Sequence, residues 1–138
     1  MMQSMLSSAS ALRAHKVKMD VIAHNIANVN TNDFKSSSVT LQDSFSQTIE
    51  QARAARVDSS RAGTNPKQVG SGVSIASINR STAPGPKIMV GDTTEVMSNT
   101  DLAVEITNMI VTQRGFEANT SVIPVVDEML EEVSNLRA

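Results

Sequence analysis

Met5, Leu12, Met19 and Ile26 recur every seven residues, and Ala9 and Ala23 follow two of them at an offset of four. That spacing predicts a helix over 3–30 with a narrow, small-residue seam of the coiled-coil kind. No Gly or Pro interrupts the first 62 residues. Asn25, Asn28, Asn30, Thr31 and Asn32 then crowd together. Such side chains compete for their own backbone, so the helix is expected to end near Asn28–Asn30. The other end of the chain mirrors this pattern. Ser98-Asn99-Thr100-Asp101 supplies N-cap chemistry, and Glu105 places an acid near the helix start. Leu102, Met109, Phe116, Ile123 and Leu130 are again seven apart, with Ile106, Val126 and Val133 beside them. A helix over 101–136 follows, about 50 Å long. Its second seam row, Gln113, Thr120 and Asp127, is polar. Pro124 lacks an N–H and crowds the carbonyl of Thr120, which predicts a kink or short break between 119 and 124.

The middle of the chain has another texture. Val39, Leu41, Phe45 and Ile49 suggest an extended entry and then a short helix over 41–55. Residues 58–68 carry turn and loop chemistry. Val73, Ile75 and neighbouring positions alternate after Gly70 and Gly72, which predicts a strand over 72–79. Ala83-Pro84-Gly85-Pro86 reads as a turn; Lys87–Gly91 is too short to assign, though it could pair back as a hairpin strand. The fold class is therefore mainly α: long N- and C-terminal helices paired as an antiparallel coiled coil, with a small irregular or β-hairpin middle segment. Three zones result: 1–30, 31–98 and 99–138.

Composition narrows the function. The chain has 138 residues, room for one compact domain, with an aromatic content of 2% and neither Trp nor Tyr. It holds 18 Ser, 11 Thr, 10 Asn and 6 Gln. Such a chain buries only a modest core and borders on sequences that order fully against partners. A net charge of −2 does not favour nucleic acid. No cysteine is present, which excludes disulfides and thiolate chemistry. No apolar run reaches the length of a membrane span, and the first residues lack the pattern of a cleaved secretory signal.

Candidate chemistry is sparse. His15 and His24 are nine apart, nearly opposite on one helix, so they cannot chelate one metal together. Asp20 stands four before His24, on the same face. No nucleophile-elbow or phosphate-loop pattern occurs, and Gly70-Ser71-Gly72 reads as a turn or bulge. No catalytic residue, metal site, cofactor or small-molecule substrate is expected, and enzyme function is disfavoured. Two weakly apolar helices joined by a polar middle describe a subunit that completes its fold in an assembly.

Three segments then point to a family. Asn25-Ile26-Ala27-Asn28-Val29-Asn30-Thr31-Asn32-Asp33-Phe34-Lys35 resembles the N-I-A-N-x-x-T-x-G-[FY]-[KR] signature of bacterial flagellar rod and hook axial proteins. Residues 98–119, with Asp101, Leu102, Gln113, Arg114, Phe116 and Asn119, resemble that family's C-terminal signature. Asn65–Val73 resembles a stretch found in its hook and distal-rod members. The length is similar to that of short proximal-rod, FlgC-like members. Asp33 replaces the turn glycine of the pattern, and Asp tolerates a left-handed backbone less well than Gly.

The resemblance implies a subunit exported through the flagellar type III apparatus without a cleaved signal. It implies stacking with copies of itself and other axial proteins into a hollow, torque-transmitting tube, in the periplasm-spanning basal body. The matched positions Asn25, Ile26, Asn28, Thr31, Phe34, Lys35, Asp101, Leu102, Gln113, Arg114, Phe116 and Asn119 become assembly candidates. For Asn25 and Asn28 the plainer role is capping the helix C-terminus. Arg114 could pair with Asp101 or Glu117. The competing function is a soluble helical-hairpin adaptor or export chaperone, which would form a small helical oligomer and no polymer.

Overall fold

Two helices dominate the computed structural model, which describes residues 2–51 and 64–136: α1 (Met2–Ala27) and α2 (Leu102–Asn135). Asn25 of α1 touches Glu105 of α2, and His15 lies over Gly115, so the helices run antiparallel. The residues of α1 turned inward are Ser8, Ala11, His15, Lys18, Ile22 and Asn25, with Ala14 beside them. Those of α2 are Glu105, Asn108, Thr112, Gly115, Asn119, Val122 and Val126. Both rows alternate by three and four, the spacing of a coiled-coil seam.

This seam differs from the expected one. Met5, Ala9, Leu12, Met19 and Ile26 are only half-buried on its flank, and Ala23 is exposed. Leu102 and Phe116 are exposed, and Met109, Ile123 and Leu130 half-buried. Gln113, Thr120 and Asp127 lie outside the seam, exposed. The reason is steric. Small side chains let the backbones approach, and a Cβ on Gly115 would stand 2.8 Å from the His15 ring. The largest fully buried side chains among the described residues are Asn25 and Thr112, both polar. Thr112 satisfies its hydroxyl on the Asn108 carbonyl at 2.7 Å.

The helix ends follow local chemistry. Asn28 Nδ2 donates to the His24 carbonyl at 2.9 Å, and the chain tightens through Val29 N–H to Ile26 O and Thr31 N–H to Asn28 O. Asp33 then takes φ 53°, the left-handed turn that the glycine of the family pattern would adopt freely. At the start of α2, Asp101 Oδ1 accepts from Ala103 N–H at 2.9 Å and Val104 N–H at 3.2 Å, an N-cap. The helix continues through Pro124 without the expected break. Pro124 and Thr120 are both exposed, so solvent can take the place of the missing N–H.

Between the helices, β1 (Ser37–Asp43) pairs with β4 (Val73–Arg80), antiparallel from Ser37↔Arg80 to Asp43↔Val73. The register slips between Thr40 and Leu41, leaving Ala76 as an extra residue of a bulge. β2 (Gln47–Glu50) and β3 (Lys67–Val69) continue the ribbon outward, closed by a Lys67–Glu50 ion pair of 3.0 Å. These strands replace the helix expected over 41–55, whose last four residues lie outside the described residues, as do 58–63 of the expected loop. Spacings of four at Leu41, Phe45 and Ile49 mimic a helix, but the ribbon bends at 44–46, where Ser44 N–H donates to Gly72 O. Gly72, at φ 106°, sits against Ser7 and Ser10 of α1, and a side chain there would overlap Ser10. The Ser10 hydroxyl accepts from Val73 N–H at 3.1 Å. The ribbon thus occupies a second side of α1, and burial on that helix is divided between two faces.

β5 (Lys87–Val90) pairs forward with β6 (Thr93–Val96), not back on the preceding strand. Gly91-Asp92 forms the two-residue turn, and Gly91 at φ 63° supplies the positive φ at its first position.

The close helix contact is testable. Gly115→Val should destabilise the helix pair by about 1–3 kcal/mol, as overpacking does. Gly115→Ala should cost less, because about 1 kcal/mol of helix propensity offsets the displaced His15 ring. Urea unfolding followed by circular dichroism reads both.

Candidate assembly site

The densest side-chain hydrogen bonding among the described residues lies where α1 ends, α2 begins and the ribbon starts. Asn25, 0% exposed, faces α2 from the last turn of α1. Its Oδ1 accepts from Ser37 N–H at 2.9 Å, while Nδ2 donates to Ser37 O at 2.7 Å and to Glu105 Oε1 at 2.8 Å. The amide therefore grips Ser37 as a neighbouring strand would, and ties it to α2. Contrary to the expectation from the sequence, Asn25 does not cap its own helix, whereas Asn28 does. The difference is position: at full burial an amide must find partners across the interface.

A second amide does the same on the other side. Asn99 Oδ1 accepts from Ser36 N–H at 2.7 Å, and Nδ2 donates to Ser81 Oγ at 2.9 Å and Ala83 O at 2.8 Å. Its backbone N–H donates to Phe34 O at 3.2 Å. Asp33 N–H donates to Val96 O at 2.7 Å, and Asn32 Nδ2 to Glu95 Oε2 at 2.7 Å. The turn 28–36 is thus bonded to the segment preceding α2 along its length.

Most of the predicted residues meet here. Thr31 Oγ1 donates to Asn28 Oδ1 at 3.2 Å, Phe34 packs edge-on to His24 with ring centroids 5.5 Å apart, and Lys35 pairs with Asp33 at 2.8 Å. That hydrogen bond, aided by the lysine charge, holds the Asp33 carboxyl below its ordinary range. Ile26 is half-buried, Asp101 caps α2, and Leu102 stands exposed beside it. Asp20 pairs with Lys16 at 2.9 Å rather than with His24, because the flexible amine reaches it along the helix.

Four predicted residues lie apart, further along α2. Gln113 Nε2 and Arg114 Nη1 both donate to Glu117, at 3.1 and 2.8 Å. Phe116 is exposed, and Asn119 donates to Gly115 O at 2.7 Å. Glu105 and Asn99 were not singled out by sequence reasoning, beyond helix-start chemistry. Their roles depend on contacts 80 and 63 residues apart. The one available signal was an asparagine inside a cluster already rich in N-cap residues.

A surface of another kind runs along α2. Ile106, Ile110, Val111, Phe116, Val125, Met129 and Val133 of α2 are each at least 41% exposed. Leu6 of α1 is exposed too. No group of three or more metal-ligating side chains occurs among the described residues. The arrangement offers hydrogen-bonded rigidity inside and apolar surface outside, which is the chemistry of association.

Comparison with known proteins agrees. Residues 5–35 match the family described as flagella basal body rod protein. Residues 96–136 match the C-terminal family of flagellar basal body rod FlgEFG proteins. The chain belongs to the flagellar rod and hook family. The flagellar hook protein FlgE of Treponema pallidum is 40% identical over 83% of the chain and 23% of its own length. The hook protein FlgE of Borreliella burgdorferi is 51% identical over 57% of the chain and 17% of its own length. The basal-body rod protein FlgG of Bacillus subtilis is 46% identical over 57% of the chain and 29% of its own length. The chain thus spans less than a third of each of these relatives. Rod and hook proteins are structural components of the flagellum, not enzymes. The two family matches end and begin at the junction described above, so Asn25 and Asn28 fall in one and Asn99 and Asp101 in the other.

Removing the Asn25 amide strips the backbone of Ser37 of both partners. Asn25→Ala should destabilise the fold by about 3 kcal/mol, at roughly 1–3 kcal/mol for each buried group left unpaired. Asn25→Asp should be at least as damaging at neutral pH, because it sets a second carboxylate against Glu105, and milder acid should relieve part of the loss. Urea midpoints at two pH values check both.

Proposed function

We propose that this chain is an axial structural subunit of the flagellar rod or hook. In this reading it packs helically with copies of itself and with other axial proteins into a hollow tube, located in the basal body, that transmits torque and serves as an export conduit. It reaches that place through the flagellar type III export apparatus. Residues 1–30 and 99–138 form the packing core of the subunit, and 31–98 spaces and orients it. The observation that carries the proposal is the inverted distribution of side chains on the helices. Polar and small residues fill most of the intramolecular seam, and many of the large apolar residues of α2 face outward. An apolar surface of that extent marks a contact with another molecule. A contact between unlike faces that does not close on itself generates a helical filament. The names of the relatives, hook and basal-body rod proteins, support the same reading.

The family-motif residues divide the work. Asn25, Asn28, Thr31, Lys35 and Asp101 set the angle between α1 and α2, while Leu102, Arg114 and Phe116 meet neighbouring subunits. Ile110→Asp tests the proposal directly. Ile110 is 50% exposed, so the free chain should keep its spectrum and its stability within about 0.5 kcal/mol. Sedimentation should show that the variant forms no polymer under conditions in which the parent chain does. A variant that polymerises like its parent contradicts the proposal, and a discrete helical oligomer from both chains favours the adaptor reading.

A further inference from the structure

His15 lies at the centre of the α1–α2 contact. Its ring is so close to Gly115 that a Cβ on that glycine would stand 2.8 Å from Cε1 and 2.9 Å from Nε2. The Nδ1 atom is buried and has neither donor nor acceptor within reach. A neutral imidazole with its proton on Nε2 tolerates this, since only a lone pair is left bare. An imidazolium does not, because it places an N–H on Nδ1 with nothing to receive it. The charges around the ring offer no compensation. Lys18, one turn along α1, repels a positive ring. In the facing row of α2, Asn108, Thr112, Gly115 and Asn119 are uncharged, the one carboxylate, Glu105, is held by Asn25 ten residues from Gly115, and Arg114 and Glu117 close on each other on the exposed side. The half-buried residues of the ribbon strands, Val39, Leu41, Val73, Ser74 and Ser77, are uncharged as well.

We propose that His15 is an acid-sensitive latch on the helix pair: the neutral ring seats on Gly115, the protonated ring does not, and mild acid opens the pair. Burial, and then Lys18, hold the His15 ring below its ordinary pKa. The unfolded chain therefore binds the proton more readily than the folded one. Stability is fully present above the ordinary histidine value of about 6.5 and is lost as pH falls through it. One proton changes the folding equilibrium by up to about tenfold per pH unit in that window. The latch is independent of the function proposed above, because it is a property of the single chain.

Urea unfolding of the full chain at intervals from about pH 7.5 to 5.0 tests it, followed by circular dichroism. The parent chain and His24→Gln should both lose midpoint as pH falls below about 6.5. His15→Gln should be flat over the same interval. Proton NMR of the His15 ring in the parent chain gives a second reading that needs no variant, and the ring should titrate below the ordinary histidine value of about 6.5. An unchanging parental midpoint, a slope that survives in His15→Gln, or a His15 ring that titrates at or above the ordinary histidine value would each overturn the proposal.

Discussion

Asn25 is the one large α1 side chain with no access to solvent, and it is an amide. Its three hydrogen bonds hold the end of α1, the first residue of β1 and the first turns of α2 in one arrangement. An amide in that position is demanding as well as useful, since a buried polar group that loses its partners costs more than it contributes when satisfied. Two of the bonds fix Ser37 of β1 against the end of α1, and the third ties that corner to α2 through Glu105. Gly115 and the alanines of α1 then allow the helices to close on each other, and Gly72 admits the ribbon against Ser10. The fold rests on directional bonds and close backbone approach more than on apolar volume.

That choice has a consequence for the rest of the surface. Among the described residues, the intramolecular seam takes Ala11, Ile22 and Val126, with Ala14 beside it, as its buried apolar residues. Most of the larger aliphatic residues remain outside, spread along about 50 Å of α2. A rigidly set helix pair that presents such a surface is suited to repeated association, because each copy offers the same face at the same angle. The chain's membership in the flagellar rod and hook family gives that physical expectation a structural setting.

The sequence made the helices legible because seven-residue recurrence and N-cap clusters are local signals. The starts and ends of α1 and α2 fall within a few residues of their expected places. The seam itself was displaced, for an instructive reason. Periodicity counts large apolar residues, and here Met5, Leu12, Leu102 and Phe116 flank the contact that Ser8, Ala11, Thr112 and Gly115 make. Small residues leave little trace in a hydrophobic pattern. The short helix expected from Leu41, Phe45 and Ile49 failed because a bent ribbon repeats every four residues as a helix does. At the junction, the motif residues were visible, but the grip of Asn25 on Ser37 and the bonds of Asn99 were not. They are decided by which distant backbone groups need a partner, and only the fold determines that.

The central claim is that this helix pair is held by polar bonds within the chain and completed by apolar contacts between chains. Helicity measured by circular dichroism as the full chain is concentrated into assembly tests it most directly. The account predicts a helical signal in dilute solution that melts readily, and that rises further and resists melting as polymer forms. A high, concentration-independent helicity with a cooperative melt and no polymer would contradict it, and would mean that the outward apolar face needs no neighbour.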